Sequence, residues 1–543
     1  MYIVSQYRRQ IRQFICSDTP AAFLRAWGLL AVALAALAAL FFYMGAPAMN
    51  GRPWDIPIDL DGAWRIANGQ VPHRDFFFYS GDLPFYVTWL GMKMSRPCVS
   101  AITFGNVVVM AAIGLSAMAV LQRRTSALYA VAMSLFLAVL AVTPRPLGDS
   151  YDYTDYAMLY NRYGEAFIGL FGIIVFLPLR QGVGRRWPDW LETAFAGGLL
   201  PILLFCKLNY FAMGSGFLVV ACLLGRLNPG RTLLCFVSAA IALYLILLLT
   251  HIPLAAMRQD YQIMAAAQDV RGRLRSLAVH GIENLPYLLA LGLLVWEIAS
   301  QKNEPNHMPA ALWRHSLLMA SIFGGELLLV VSNTQEGEMP LLALAGLYGA
   351  EIIRRNTAET EKDSFIVTAR NLGALVLFAV FLLPTFPTDC KTVLFAARNT
   401  KKSNWISTQT LQSTRLSDFR FAARGTRLEE MRVYMGTVDE GIELLRRHSD
   451  PHMRLAALVF SNPFHIALGL APTMGGAPVV SVTAFTKRSH PMLKRLVGDA
   501  THILVERDDA LLRDTYGAEW DALHLSVIEQ TKDFTLFKLP EKE

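Results

Sequence analysis

The stretch Asp59-Leu-Asp61-Gly-Ala-Trp-Arg-Ile-Ala-Asn-Gly69-Gln-Val-Pro-His-Arg-Asp75-Phe closely follows the first long apolar run of the chain. Three carboxylates and a Gly-Gln-x-Pro turn stand where the chain has just left a membrane. Acidic groups this close to a bilayer are costly and need a purpose. An acidic first loop on a chain with many apolar runs points to an enzyme working at a membrane face rather than to a channel wall.

The rest of the chain agrees. Of its 543 residues 54% are hydrophobic and only 17% charged, and the mean hydropathy is +0.35. Soluble domains carry about a quarter charged residues. A net charge of +7 would suit nucleic acid, but no compact basic and aromatic patch occurs, so no nucleic-acid partner is expected. In a membrane protein such an excess reflects Lys and Arg in cytoplasmic loops. Apolar runs approaching the crossing length fall at roughly 22–44, 99–121, 125–143, 165–179, 191–206, 209–225, 232–250, 284–299, 313–331, 339–353 and 366–386. They predict a polytopic α-helical membrane protein with about eleven transmembrane helices.

Basic residues orient it. Arg8, Arg9, Arg12 and Arg25 border the start of the first run, and Arg123 and Arg124 follow the second. Arg180, Arg185 and Arg186 follow the fourth, and Arg226 and Arg231 the sixth. Lys302 and Arg314 flank a later gap, and Arg354 and Arg355 follow the tenth run. Every second loop is basic, which places those loops and the N-terminus in the cytoplasm. The acidic first loop and everything after Pro387 then face outward. Ala46-Pro47-Ala48 has the look of a cleavage site, but the apolar run before it is longer than a signal-peptide core, so an uncleaved anchor is expected. Cys206, Cys222 and Cys235 lie in apolar runs and read as small core residues. Cys98 and Cys390 fall on the outward side, where a disulfide is permitted, although nothing in the sequence places them close together.

These features divide the chain into a multi-span part, 1–386, and a soluble tail, 387–543. The tail has nearly balanced charge and no span. Thr437-Val-Asp-Glu440 reads as a capping box opening an amphipathic helix that runs to about His448. Leu455–Phe460, Pro478–Ala484, His502–Glu506 and Asp533–Leu539 read as strands, and Asp508–Tyr516 as a helix. This alternation predicts a small α/β domain. The segment from about 391 to 430 is polar and without period, and reads as a linker or irregular arm.

Candidate chemistry sits in the outward loops. Asp59 and Asp61 share a face only on an extended backbone; on a helix they point about 160° apart. Asp75 stands beside His73 and Arg74, and a local ion pair is the plain alternative to a binding role. The second outward loop carries Asp152, Asp155, Tyr156, Tyr160, Asn161, Arg162 and Tyr163. Carboxylates beside flat aromatic faces suit a carbohydrate, whereas tyrosines alone would suit an interfacial belt. Outward cations run against the orientation rule: Arg162, Lys207, Arg258, Arg271, Arg273 and Arg275. An arginine fork suits phosphate oxygens, and an amphipathic helix on anionic headgroups is the alternative for Arg271 to Arg275.

The pattern Asp59-x-Asp61-Gly-Ala-Trp-Arg-x-Ala-x-Gly69-Gln-x-Pro72-x-Arg74-Asp75-Phe resembles the first outward loop of membrane glycosyltransferases of the GT-C fold. The nearest branch contains bacterial relatives of protein mannosyltransferases and lipid A aminoarabinose transferase. The resemblance in motif covers about thirty residues, and that in layout covers the whole chain. It departs from the family where Leu60 separates two aspartates in place of an Asp-Glu pair, where His73 replaces a Tyr, and where Gly81-Asp82 replaces Gly-Pro.

The resemblance implies a bacterial inner-membrane enzyme with a periplasmic tail. It would move a sugar from a polyprenyl-phosphate donor to a hydroxyl of an envelope glycan, lipid or protein, with inversion. Asp59 or Asp61 would be the catalytic base. Asp75, Asp152, Asp155, Tyr156 and Asn161 would bind substrate, and Arg162 and Lys207 the donor phosphate. No cofactor is required outright; a divalent cation, Mg2+ or Mn2+, stays open. The rival readings are a transporter or flippase of lipid-linked sugars, and a non-catalytic envelope subunit. A transporter would more often show internal repeats and ionisable residues deep in its spans. Here Asn209, Glu326 and Gln335 to Glu338 cluster at outward ends and no repeat is visible.

Overall fold

The structure, a computed structural model, describes residues 18–180, 187–266, 270–300, 308–333, 337–360, 364–400, 407–411, 413–480, 489–507 and 510–540. Arg8, Arg9, Arg12, Arg185, Arg186, Lys302 and Gln335 lie outside the described residues.

Helix α1, Pro20–Met44, shows how this chain makes a span. Thr19 caps it through its side chain, Pro20 sits in the first turn, and Gly45 ends it at φ 58°. Phe23, Ala26, Leu30, Leu34 and Phe41 are buried at helical spacing, while Leu24, Leu29 and Val32 are more than 60% exposed. Leucines exposed along one whole face belong in hydrocarbon.

Helices then follow in order: α2 Asp55–Ala67, α3 Leu83–Met94, α4 Ser100–Leu121, α5 Ala127–Val142, α6 Leu159–Phe176, α7 Trp187–Cys206, α8 Leu208–Leu223 and α9 Pro229–Thr250. After them come α10 Leu254–Ala266, α11 Val270–Glu283, α12 Leu285–Ser300, α13 Met308–Asn333, α14 Leu342–Thr360, α15 Ser364–Leu382 and α16 Phe386–Asn399. A helix occupies each stretch read as an apolar run. Among the described residues five helices are long and apolar enough to cross a membrane, or up to seven if each of two bent pairs is one span. The others are shorter or carry more charge.

The tail holds a hairpin, β1 Ser407–Thr410 with β2 Arg420–Ala423, then α17 Thr426–Arg447, β3 Leu455–Leu458, α18 Phe464–Leu468 and α19 Leu493–Val497. It ends with β4 His502–Glu506, α20 Ala510–Asp521, β5 Ser526–Gln530 and β6 Phe534–Lys538. The four-stranded sheet has the order β3-β4-β6-β5, parallel only between β3 and β4. Met49, just past α1, hydrogen-bonds with Arg420 and Ala422 of the hairpin, tying the first loop to the tail.

Several expectations are corrected here. The Thr437-to-Glu440 segment does not open a helix, because α17 begins eleven residues earlier at Thr426. Met431, Met435, Val438, Ile442 and Leu445 form its buried stripe. Thr437 and Glu440 instead grip Asp533 before β6, through its carboxylate and its backbone N–H, each at 2.8 Å. The polar 391–430 segment is no irregular arm. It contains the end of α16, whose Asp389, Thr392, Val393, Ala396 and Asn399 are buried at helical spacing, and the hairpin. Pro478–Val480 is loop rather than strand, and the rest of that stretch lies outside the described residues. Cys98 and Cys390 are both free thiols.

Candidate active site

The first loop folds as α2 despite Pro53 and Pro57, because Pro57 falls in its first turn, where no backbone N–H is needed. This puts Asp55 and Asp59 one turn apart on one face and sends Asp61 elsewhere. Asp55 and Asp59 line a pocket of about 90 Å³ with Tyr79, Pro84, Tyr160 and Phe460. The Asp59 carboxylate makes no hydrogen bond or ion pair among the described residues, although it is only 8% exposed. Burial, and then the Asp55 charge, push its pKa well above the ordinary carboxylate value. Burial outweighs the Arg52 charge at Asp55 and raises that carboxyl to about 6.

Asp61 is built differently. It accepts from Arg65 Nε at 2.8 Å and faces His465 Nδ1 of α18 at 2.7 Å, with Asn462 at 3.3 Å. Arg65 also donates to Gln70 and to the carbonyls of Thr473 and Gly475, at 2.8–3.2 Å. Burial alone would raise the Asp61 pKa, but the charges of Arg65 and His465 and their hydrogen bonds hold it below the usual range. Asp61 is therefore a clamp between α2 and the tail, fully buried and out of reach of a ligand.

The second acidic loop contributes less than its composition suggests. Asp155 accepts from the Ala157 amide at 2.8 Å and keeps its other oxygen buried without a partner. Burial and the Asp55 charge raise its pKa well above normal, so it belongs to the same acidic cluster. Asp152 is taken by Ser150. Tyr156 hydrogen-bonds Thr103 of α4 at 2.7 Å inside the bundle. Among the described residues the Asn161 side-chain amide donates only to Met158 Sδ, at 3.8 Å. Arg162 is 1% exposed and bound to Asp389 and to the Leu140 and Arg145 carbonyls. Its guanidinium braces α16 against the bundle and leaves no fork for a phosphate. Asp75 is held by Arg74 at 2.7 Å and by the Val71 amide at 2.8 Å, the local ion pair.

Lys207 is the cation that does reach the pocket wall. It lies in extended backbone between α7 and α8, its ammonium 4.8 Å from the centre of the Tyr160 ring and 2.8 Å from Asn333 Oδ1. Asn209 donates to the same Asn333 oxygen at 2.7 Å, and Arg273 of α11 adds its charge nearby. Gly81 is what lets the first loop dock here, since a Cβ would stand 2.1 Å from the Cys206 carbonyl oxygen.

Two functional features escaped the sequence. Asp55 was readable from the sequence as the i−4 partner of Asp59 on a helix, but the acidic stretch was taken to begin at Asp59. The other is a buried network. His73, at φ 64°, places Nδ1 2.8 Å from Asp260 of α10 and Nε2 3.1 Å from Asp82. Arg495 of α19 binds Asp260 at 3.0 Å and the His73 carbonyl at 2.7 Å. Burial would lower the His73 pKa, but Asp82 and Asp260 together raise it to about 9. The raised value makes this a contribution to stability that is full below the unfolded histidine pKa of about 6.5 and is lost as pH rises through about 9. The melting temperature should therefore fall between pH 7 and pH 9.5, and His73→Gln should flatten that fall.

No three His, Cys, Asp or Glu side chains converge as metal ligands among the described residues. Mg2+ commonly takes one or two protein carboxylates and completes its shell with water. Asp55 and Asp59 present that number, and they are the pair that would hold such a cation.

No protein-family model matches the chain, and no curated protein sequence matches it either. Among solved structures it is similar to a crystal structure of ArnT from Cupriavidus metallidurans bound to undecaprenyl phosphate. That match has 13% identity and a TM-score of 0.41, and covers 94% of this chain and 97% of that one. The apo structure of the same protein matches with 12% identity and a TM-score of 0.42, over 95% and 98% of the two chains. At these values, what the site does has to come from its own residues.

Proposed function

We propose that the protein is a GT-C-like membrane glycosyltransferase. It moves a sugar from a polyprenyl-phosphate donor to a hydroxyl acceptor of the cell envelope, with inversion. In this reading residues 1–386 form a bundle of about eleven spans in a bacterial inner membrane, and 387–543 a periplasmic domain. One observation carries it: Asp59 stands unpaired in a small pocket beside Asp55, with Lys207 on the pocket's Tyr160 wall. Asp59 takes the proton of the acceptor O–H. That oxygen's electron pair forms the new bond to the anomeric carbon, and the bond to phosphate breaks with its pair on the leaving oxygen. A raised pKa makes Asp59 a stronger base, nearer the working pH. The Lys207 ammonium meets the charge growing on the phosphate. A divalent cation on Asp55 and Asp59 would supply further charge to that phosphate.

The deciding experiment supplies the detergent-purified protein with a panel of labelled polyprenyl-phosphate sugars and envelope acceptors. Release of polyprenyl phosphate matched by labelled acceptor supports the reading. Donor binding with no release across the panel rejects it. Lys207→Met should weaken donor binding by about ten- to a hundredfold, as loss of a charge-assisted contact of roughly 1.5–3 kcal/mol requires, and leave acceptor binding near wild type. Unchanged donor affinity would remove Lys207 from the site. Orientation has its own check. Glu443 is exposed on α17, and Glu443→Cys should react with an impermeant thiol reagent in intact cells. Labelling only after lysis would put the tail, and the pocket with it, in the cytoplasm.

A further inference from the structure

Helix α6 joins two cavities. Leu159 and Tyr160 line the carboxylate pocket, while Ile174 and Val175 line a second, larger cavity of about 440 Å³. At ~1.5 Å per residue the two lie roughly 22 Å apart along the helix. The second cavity sits at the end of the bundle that carries the basic loops.

Its wall is polar and positively charged. Asp189 is bound from two sides, by Arg123 at 2.5 Å and Arg231 at 2.8 Å. Glu192 is likewise bound by Arg123 at 2.7 Å and Arg124 at 2.6 Å. Arg226, also in the wall, donates to the Tyr348 hydroxyl at 3.0 Å and meets no carboxylate among the described residues. His315 holds the other side of that hydroxyl at 3.0 Å. The next acid, Glu351, is already taken by Arg354 and Arg355. Three guanidinium groups in the wall, Arg124, Arg226 and Arg231, therefore face two carboxylates, an excess of one positive charge, and Arg123 pairs with both carboxylates from outside the lining. The N-terminus of α9, capped by Asn228, adds the positive end of its dipole.

The cavity also has an apolar exit. Cys235 of α9 lines it, and Cys235 is the one buried residue of that helix. The rest of α9, with Leu233, Phe236, Ile241 and Leu248 all more than half exposed, faces hydrocarbon. Basic recesses between spans at the cytoplasmic side suit anionic lipid headgroups.

We propose that this cavity binds the phosphate of an anionic phospholipid of the cytoplasmic leaflet. Arg226 and Arg231 hold the phosphate, and the acyl chains lie along α9. The excess positive charge, with Arg226 free of any carboxylate among the described residues, matches an anionic phosphate better than a zwitterionic headgroup. The site takes no part in the transfer proposed above, and its test does not depend on transfer.

The test uses the full chain in neutral detergent and measures binding of dioctanoyl phosphatidic acid, dioctanoyl phosphatidylcholine and inorganic phosphate. The wild type should prefer phosphatidic acid over phosphatidylcholine by at least about tenfold. Arg226→Gln and Arg231→Gln should each weaken phosphatidic acid by about tenfold or more, and Arg226→Lys by less. Arg231 is about a third exposed on its side chain, so its variant keeps the test open should Arg226→Gln misfold. Inorganic phosphate that binds alone, needs the same two arginines and displaces phosphatidic acid would support the site and name free phosphate as its ligand. Equal binding of the two lipids by the wild type overturns the proposal. So does full retention of phosphatidic acid by both glutamine variants, or a loss confined to Lys207→Met, which would put the lipid in the outward pocket.

Discussion

Asp59→Asn should lower sugar transfer by about 10²–10⁴-fold, the range a positioned general base supplies, and should at the same time stabilise the protein. The two effects share one cause. Asp59 lies in a small pocket with no partner among the described residues and with Asp55 one turn away. Its charge is costly to the fold and useful to the reaction. The sign follows from linkage. A carboxyl raised above its unfolded pKa favours the folded state below that pKa, and the advantage is lost as pH rises through the folded value. For Asp55 that window runs from the unfolded value of about 3.9 to about 6. That window corresponds to at most about 3 kcal/mol at pH 7. Asparagine mimics the protonated acid, so Asp55→Asn and Asp59→Asn should both unfold at higher temperature than wild type at pH 7. The gain should shrink as pH falls toward 4. Initial rates and melting curves on the same preparations check both halves. The wild-type rate should also climb with pH through a limb above the ordinary carboxylate range. An Asp59→Asn enzyme with normal rates, or a wild-type rate already flat at pH 4.5, would take the base role away from Asp59.

The helices were legible because their signal is composition over length, and apolar runs survive without knowledge of any partner. Basic loops between them set an expected orientation, which rests on charge alone. The tail was read well where strands are buried, as in β3, β4 and β6, and missed where they are not. β5 has no buried residue, so its edge position erased the pattern a strand is recognised by. α16 was hidden by buried polar groups, Asp389 and Asn399 among them, which a reading of apolar periodicity counts as solvent-facing, and the start of α17 is polar with no buried residue before Met431. The site was half legible. Sequence marked the acidic first loop and noted that Asp59 and Asp61 would diverge on a helix. It could not say which one the tail would claim, because His465 and Asn462 lie some four hundred residues away. Arg162 misled for a related reason. An arginine read as outward looks available until Asp389, from just past the last apolar run, is found bound to it.

Asp61→Ala should do the opposite of Asp59→Asn, although the two residues are two apart. Asp61 is the buried acceptor for Arg65, His465 and Asn462 at once. Removing it leaves the Arg65 guanidinium, about 1% exposed, without its carboxylate. Breaking a buried ion pair from one side costs about 3–5 kcal/mol, since the stranded charge keeps its desolvation penalty. Arg65 holds more than the pair: its contacts with the Thr473 and Gly475 carbonyls join α2 to the tail. The predicted loss is therefore of docking as well as of stability. Limited proteolysis should cut between α16 and β3 in Asp61→Ala under conditions that leave wild type intact, and the melting temperature should fall by several degrees. Transfer should fall in proportion to the undocked fraction and recover when the temperature is lowered. Asp59→Asn should show none of this recovery. Replacing Asp61 and Arg65 together by Asn and Met removes the stranded charge and should restore part of the stability. Were Asp61→Ala to fold normally at every temperature and still lose transfer a hundredfold, Asp61 would be the base and Asp59 the bystander.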